Sequence, residues 1–156
     1  MRKENKTLNE ANEANKMENL EVIYAYTRKD AIEDGILVEL DEAKLEDGKT
    51  GKELRLEAGV MFPICFTFTL FEKLNPNEAD RKCGQSLAGR YWDVLTIFKF
   101  EISALTKKQA KVNQFNFKIL VLEGRKGELN ELEMKVMLGA EDDGKPALTF
   151  MLPDED

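Results

Sequence analysis

The sequence predicts a single α+β domain, in which a three- to four-stranded, mainly antiparallel sheet packs against a central helix and shorter helices. Two patterns predict it. Residues 87–105 repeat apolar side chains with the period of an α-helix, whereas apolar and polar residues alternate beyond residue 112, as in β-strands. The chain has 156 residues, which is most simply one domain and is long enough to bury a core.

The first 20 residues are rich in Asn, Glu and Lys and have no apolar face. Such a segment buries too little surface to offset the entropy lost on ordering. We predict that residues 1–20 form a disordered or partly helical arm and that residues 21–156 form the domain.

A short capped helix is predicted next. Residues 21–26 are apolar and fit an entry strand or loop. Thr27 fits a helix N-cap with Asp30 in the capping-box position, and the helix is expected to end at Gly35. Residues 36–40 are then expected to form a strand.

The middle of the chain is harder to assign. Residues 41–51 are polar and predict a loop, and residues 52–58 predict a short helix. Pro63 fits the first turn of a helix. For residues 64–71, alternation and β-propensity favour a strand, while helical spacing fits almost as well. Residues 75–84 contain many turn-forming residues and predict a loop.

Ser86 is expected to cap the central helix. Trp92, Ile97 and Phe100 lie off its main apolar stripe, so we expect this helix to be covered on more than one side, by the sheet and by other helices. The stripe itself consists of Tyr91, Val94, Leu95, Phe98, Ile102 and Leu105.

Alternating residues then predict three strands, at 115–121, 132–138 and 148–152. Turn-forming residues at 124–127 and 142–146 separate them. Short connections between successive strands are typical of an antiparallel meander, one face of which we expect to pack on the central helix.

Composition excludes several classes of protein. The net charge of −7 disfavours nonspecific binding to nucleic acid, and we expect no nucleic-acid partner. No apolar run is long enough to span a membrane, and we expect no secretory signal, because no apolar stretch follows the basic first residues. Cys65 and Cys83 are isolated and fit reduced thiols, so we expect a cytoplasmic protein.

The chain contains no histidine, which removes the usual general base near neutral pH and the zinc sites that need it. Neither phosphate-binding glycine motif is present. The acidic turn at 141–144 lacks the spacing of a calcium loop and fits a hairpin turn. We therefore expect no metal, no cofactor and no enzymatic activity.

Three segments carry a resemblance: Val22-Ile-Tyr-Ala-Tyr-Thr-Arg28 with Ile32–Leu40, Gly89-Arg-Tyr-Trp-Asp-Val-Leu95, and Gly139–Pro146 with Met151-Leu-Pro-Asp-Glu-Asp156. The chain resembles a domain-of-unknown-function family of small proteins carried on plasmids, phages and integrated mobile elements. This resemblance implies a mobile-element origin. It also implies a helix at 64–71, which is the assignment that we adopt.

Six residues are candidates for binding, although none is expected to be catalytic. The free N–H groups of a helix N-terminus and an adjacent arginine suit an anion, and an arginine near an exposed indole suits a ligand or a partner. The candidates are Tyr26, Thr27, Arg28, Arg90, Trp92 and Asp93.

Each candidate also has a purely structural interpretation. Thr27 then only caps its helix, and Arg28 pairs with a nearby acid. Arg90 and Asp93 form an i, i+3 ion pair, and Trp92 is buried. If the binding interpretation holds, Arg28 and Arg90 are predicted to line one shared patch.

The residues and the resemblance favour an uncharacterised cytosolic protein-interaction module associated with mobile elements. A homodimer through an edge of the meander is a variant of this hypothesis. One alternative is an acidic decoy that mimics DNA, as antirestriction proteins do. A further alternative is a small enzyme that uses carboxylates and arginine.

Overall fold

The computed structural model describes residues 26–155, which form a five-stranded mixed sheet with helices on both faces. The α+β class is confirmed. The expected count of three to four strands is wrong, because a further strand at Ile64–Thr67 joins the sheet, and its pairing with the last strand is parallel. The predicted arm at 1–20 and the entry segment at 21–25 lie outside the described residues.

Helix α1 spans Arg28–Glu33 and has the predicted cap. The Thr27 hydroxyl accepts a hydrogen bond from the Asp30 N–H, and the Asp30 carboxylate accepts one from the Thr27 N–H. Gly35 has a φ of +78°, which suits the residue after a helix end. Strand β1 follows at Leu37–Glu39. These elements agree with the sequence because their signals are local.

Helix α2 spans Gly51–Glu57, with Thr50 as its N-cap. The predicted helix at 64–71 is wrong for its first half. Strand β2 occupies Ile64–Thr67, and helix α3 occupies Phe68–Leu74. The change occurs at Thr67, whose hydroxyl caps α3 by accepting from the Leu70 N–H. Pro63 therefore precedes a strand and does not begin a helix.

The predicted loop at 75–84 contains a short helix, α4, at Glu78–Lys82. Asn77 and Asp80 form a capping box at its start. Asn-x-x-Asp is a readable start signal for a helix, so this element was detectable from the sequence.

Helix α5 spans Leu87–Lys107 and is capped by Ser86 as predicted. Its buried stripe includes Tyr91, Val94, Leu95 and Phe98. The stripe ends early, because Ile102 is exposed. On the second apolar side, Trp92 is half-buried against the core, whereas Ile97 and Phe100 are exposed, in contrast to the expectation that the sheet and other helices cover all three.

The C-terminal third forms the predicted meander of β3 at Gln114–Glu123, β4 at Glu128–Ala140 and β5 at Pro146–Met151. The strand order is β1-β2-β5-β4-β3, and the β2–β5 pair is parallel while the others are antiparallel. The last strand in sequence therefore lies in the middle of the sheet, and β1 and β3 are its edges.

An aromatic cluster joins α5 to the sheet. The Phe98 ring lies 5.9 Å from the Phe115 ring and 5.4 Å from the Phe150 ring, centroid to centroid. The Phe117 ring contacts both the Phe115 ring of its own strand and the Phe150 ring of β5. Since Phe150 faces α5, its neighbour Thr149 faces the opposite side of the sheet. Among residues 26–155, no helix has the length and apolarity needed to cross a membrane.

Candidate functional site

Arg28, the first residue of α1, is bound to the sheet. Its Nη1 donates to the Thr149 hydroxyl at 2.8 Å, and its Nη2 donates to the Leu148 carbonyl at 2.7 Å. The side chain is half-buried against β5. Its guanidinium therefore attaches α1 to the face of the sheet that is turned away from α5.

The acidic turn before β5 completes this attachment. The Asp142 carboxylate accepts from the backbone N–H groups of Arg28 and Lys29 at 3.0 and 3.2 Å. The free N–H groups that sequence analysis offered to an external anion are thus bonded to a side chain of the same protein. Thr27 is the N-cap. The exposed Tyr26 hydroxyl donates to Asp34, and this hydrogen bond raises the Tyr26 pKa to about 12.

Arg90 lies inside the fold. Nη1 donates to the Leu74 carbonyl at 3.0 Å, Nη2 donates to the Leu122 carbonyl at 2.7 Å, and the Asp80 carboxylate lies 3.4 Å from Nη2. Arg90 is on the α5 side of the sheet, whereas Arg28 contacts Thr149 on the other side. The prediction that Arg28 and Arg90 share one patch is therefore wrong.

Trp92 and Asp93 do not join either arginine. Trp92 is half-buried and borders a shallow polar depression beside Leu54 and Ser86. Asp93 is exposed, and partial desolvation raises the pKa of its carboxyl group. The ion pair expected between Arg90 and Asp93 is replaced by the pair with Asp80. A role in binding for the six candidate residues stays a prediction.

Sequence reasoning missed an apolar pocket at the C-terminal end of α5. The pocket has a volume of about 340 Å³ and lies between α5, the loop at 59–62 and the adjoining ends of β3, β4 and β5. Phe98 and Phe115 form its floor with their stacked rings. Its principal apolar lining is Met61, Phe62, Phe98, Ile102, Phe115 and Leu138.

The rim of this pocket is open to solvent. The Met61 side chain is 71% exposed, and Phe62, Ile102, Val112 and Leu138 are also exposed. The pair Met61-Phe62, directly before Pro63 and outside any amphipathic pattern, is the signal that the sequence offered.

One charged side chain, Lys99, is part of the lining. It crosses Gly59, where a Cβ would overlap the Lys99 amine. Lys107, Lys108 and Lys111 follow on the same segment, and Glu101 is its one acid between residues 98 and 113. The segment from Lys99 to Lys111 is therefore basic, although the chain as a whole carries a net charge of −7.

Titratable groups with shifted pKa values lie away from the pocket. Burial raises the pKa of the Cys65 thiol to about 11, and burial followed by the neighbouring Asp41 raises the pKa of Glu39. Cys65 is paired in register with Thr149, on the Arg28 side of the sheet. Within residues 26–155, no group of three metal-ligating side chains is arranged to hold an ion.

Comparison with known proteins gives one match. The model of a family of unknown function, DUF6573, matches residues 13–156. No curated protein and no solved structure matches the chain.

Proposed function

Because the chain belongs to the DUF6573 family, whose function is unknown, we propose a function from its surface: the protein is an interaction module, and its apolar pocket receives side chains of a partner protein. The observation that carries the proposal is the exposed apolar rim around the pocket. Met61 and Phe62 are exposed in the short loop between α2 and β2, and Ile102 is exposed on α5.

Physical reasoning supports a binding role for such a surface. Contiguous apolar patches on soluble proteins mark sites of interaction, because leaving them in water is unfavourable. A cavity of about 340 Å³ lies within the range of roughly 300–1,000 Å³ that ligand sites occupy, and it has room for one or two large side chains.

The charge near the pocket favours a particular kind of partner. Lys99 lies in the lining, and Lys107, Lys108 and Lys111 follow it. Acidic residues that flank bulky apolar residues would match this surface, since complementary charges guide association and fix the orientation of the partner. We therefore propose a partner segment of that composition.

The decoy alternative receives less support. A DNA mimic needs a continuous acidic surface. The depression with the most acids, lined by Glu33, Glu39, Glu141, Asp142 and Asp143, is interrupted by Arg28 and Lys29. The resemblance to proteins of plasmids, phages and integrated elements supports an association with mobile elements, and the isolated cysteines support a cytoplasmic location. Both belong to the same proposal.

The proposal is tested by affinity capture from the native host with the wild-type protein, Met61→Asp and Ile102→Asp. Each substitution places a carboxylate at the rim of the pocket and leaves the buried core unchanged. We expect wild type to retain a partner that both variants lose, while their circular dichroism spectra remain those of wild type.

The matched control is Leu129→Asp, which likewise replaces an exposed apolar side chain with a carboxylate, but on β4 outside the pocket. It should retain the partner. Equal capture by the pocket variants and by wild type would show that the pocket does not bind the partner.

A further inference from the structure

Strand β3 leaves a long edge of the sheet open. It spans ten residues and pairs with β4 on one side, and nothing else among residues 26–155 pairs with its other side. Open strand edges are templates for pairing with another strand, and proteins usually shorten them or protect them with charges. Between Gln114 and Leu122, the only charged residue is Lys118.

The register shows which backbone groups face outward. The Leu138 N–H donates to the Asn113 carbonyl, so Asn113 and every second residue after it point their backbone groups toward β4. The backbone groups of Gln114, Asn116, Lys118 and Leu120 therefore point away from the sheet. The Leu122 carbonyl also points outward in this register, and it accepts a hydrogen bond from Arg90 and not from β4.

Helix α5 places two apolar side chains beside this edge. Phe100 is 70% exposed and Ile97 is 36% exposed, and both line a depression that Asn116 and Lys118 also line, with Glu101, Glu131 and Glu133 at its margin. A strand added to β3 would cover these side chains as well as satisfy the outward backbone groups. The two features together, an open edge and an adjacent apolar surface, form one site.

We propose that the occupant is β3 of a second copy of this chain, paired antiparallel about a twofold axis at Asn116, so that the two sheets become continuous. This inference is independent of the pocket. The axis pairs Asn116 with its own copy and Gln114 with Lys118, so the outward-facing groups of these three residues meet each other and no like charges stand directly opposite.

The same axis places both copies of α5 on one face of the joined sheet. Ile97 and Phe100 of the two copies then cover the junction of the two β3 strands. The low charge of β3 also favours this choice. Its one lysine between Gln114 and Leu122, Lys118, is paired with Glu131 at 3.1 Å, and two molecules that each carry a net charge of −7 approach more easily where charges are balanced.

The structure limits the assembly to a closed dimer. At the end of β3, the Cys83 thiol donates to the Gly124 carbonyl and Arg90 occupies the Leu122 carbonyl, so pairing is confined to residues before Leu122. The opposite edge, β1, has only three residues, Leu37–Glu39. A pair of β3 strands therefore closes without leaving a second long edge for growth.

The test is sedimentation velocity of the full chain over a wide concentration range, with Asn116→Pro and Phe100→Asp as variants. Proline at Asn116 removes an outward N–H and no bond to β4, which is the kind of position where edge strands tolerate proline. Phe100→Asp places a charge in the apolar junction. We expect wild type to be dimeric and each variant to dimerise at least about tenfold more weakly.

Ile36→Asp is the control, since it adds the same charge at an exposed residue beside the opposite edge. It should remain dimeric. Amide hydrogen exchange locates the interface: protection of the Asn116 and Lys118 N–H groups should appear only at concentrations where the dimer forms. A wild type that is monomeric throughout, or a dimer that neither Phe100→Asp nor Asn116→Pro weakens, would overturn the proposal.

Discussion

Arg90 and Asp80 form an ion pair that is almost completely removed from water, with side chains 2% and 5% exposed. Each partner also holds backbone groups. Arg90 binds the carbonyls of Leu74 and Leu122, and Asp80 accepts from the N–H groups of Asn77 and Gly124. The pair thereby joins the end of α3, the start of α4 and the turn between β3 and β4.

Removing one member of this pair is expected to destabilise the protein strongly. Asp80→Ala leaves the guanidinium buried without its counter-charge, and breaking a buried pair in this way costs about 3–5 kcal/mol. Chemical denaturation measures the change. Glu78→Ala, which removes an exposed acid on the same helix, should change the free energy of unfolding by less than about 0.5 kcal/mol. Equal effects of the two variants would contradict this prediction.

Asp80 also makes stability depend on pH. Its pKa is lowered, first by the hydrogen bond from the Gly124 N–H and then by Asn77 and Arg90, against the opposing effect of burial. The folded pKa lies below the unfolded value of about 3.9, so the contribution of Asp80 is complete above that pH and is lost as the pH falls through the folded pKa. Between neutral and acidic pH, the free energy of unfolding should therefore fall less steeply for Asp80→Asn than for wild type. Parallel curves would exclude this role.

Phe98 is expected to be the most sensitive position of the aromatic cluster. It packs against the rings of Phe115, Phe117 and Phe150, and Phe98→Ala should cost about 3–5 kcal/mol because it leaves a cavity among them. Phe100→Ala, two residues away but exposed, should cost less than about 1 kcal/mol when both variants are unfolded at low concentration. A loss below about 1 kcal/mol for Phe98→Ala would mean that the cluster does not hold the core together.

Arg28→Ala is expected to lower the free energy of unfolding. The guanidinium donates hydrogen bonds to the Leu148 carbonyl and the Thr149 hydroxyl, and hydrogen bonds to charged groups contribute about 1.5–3 kcal/mol. The measurement is the free energy of unfolding of Arg28→Ala and of the control Lys29→Ala, which removes an exposed side chain from the neighbouring position. A loss confined to Arg28→Ala is expected. Unchanged stability of Arg28→Ala would instead favour a surface role for this arginine.

Local signals predicted much of the fold. The caps at Thr27 and Ser86 and the alternation in the last three strands depend on residues a few positions apart, and the structure has them where the sequence indicates. The prediction of one helix at 64–71 was wrong because the segment at 64–74 contains two elements, a strand followed by a helix. Its first residues become a strand by pairing with β1 and with β5, and the parallel partner lies about eighty residues away.

The sites were less predictable, for a related reason. Nothing near Arg90 in sequence reveals that Asp80 and two distant carbonyls surround its guanidinium, so an arginine at a helix start resembled a surface charge. The apolar pocket likewise needs four separate segments, the loop at 59–62 and the ends of β3, β4 and β5, to meet at the end of α5. Its residues, taken one at a time, resemble ordinary core residues.

The central position of β5 determines the order in which this protein can fold. Strands β1 and β2 can pair with each other early, and β3 and β4 can form their hairpin, but these two strand pairs share no backbone ladder until Pro146–Met151 inserts between them. Such distant contacts slow folding and expose sheet edges in the meantime. A chain interrupted before Pro146 would therefore consist of two half-sheets with their inner edges open, and it would be a ready substrate for aggregation or for quality-control proteases.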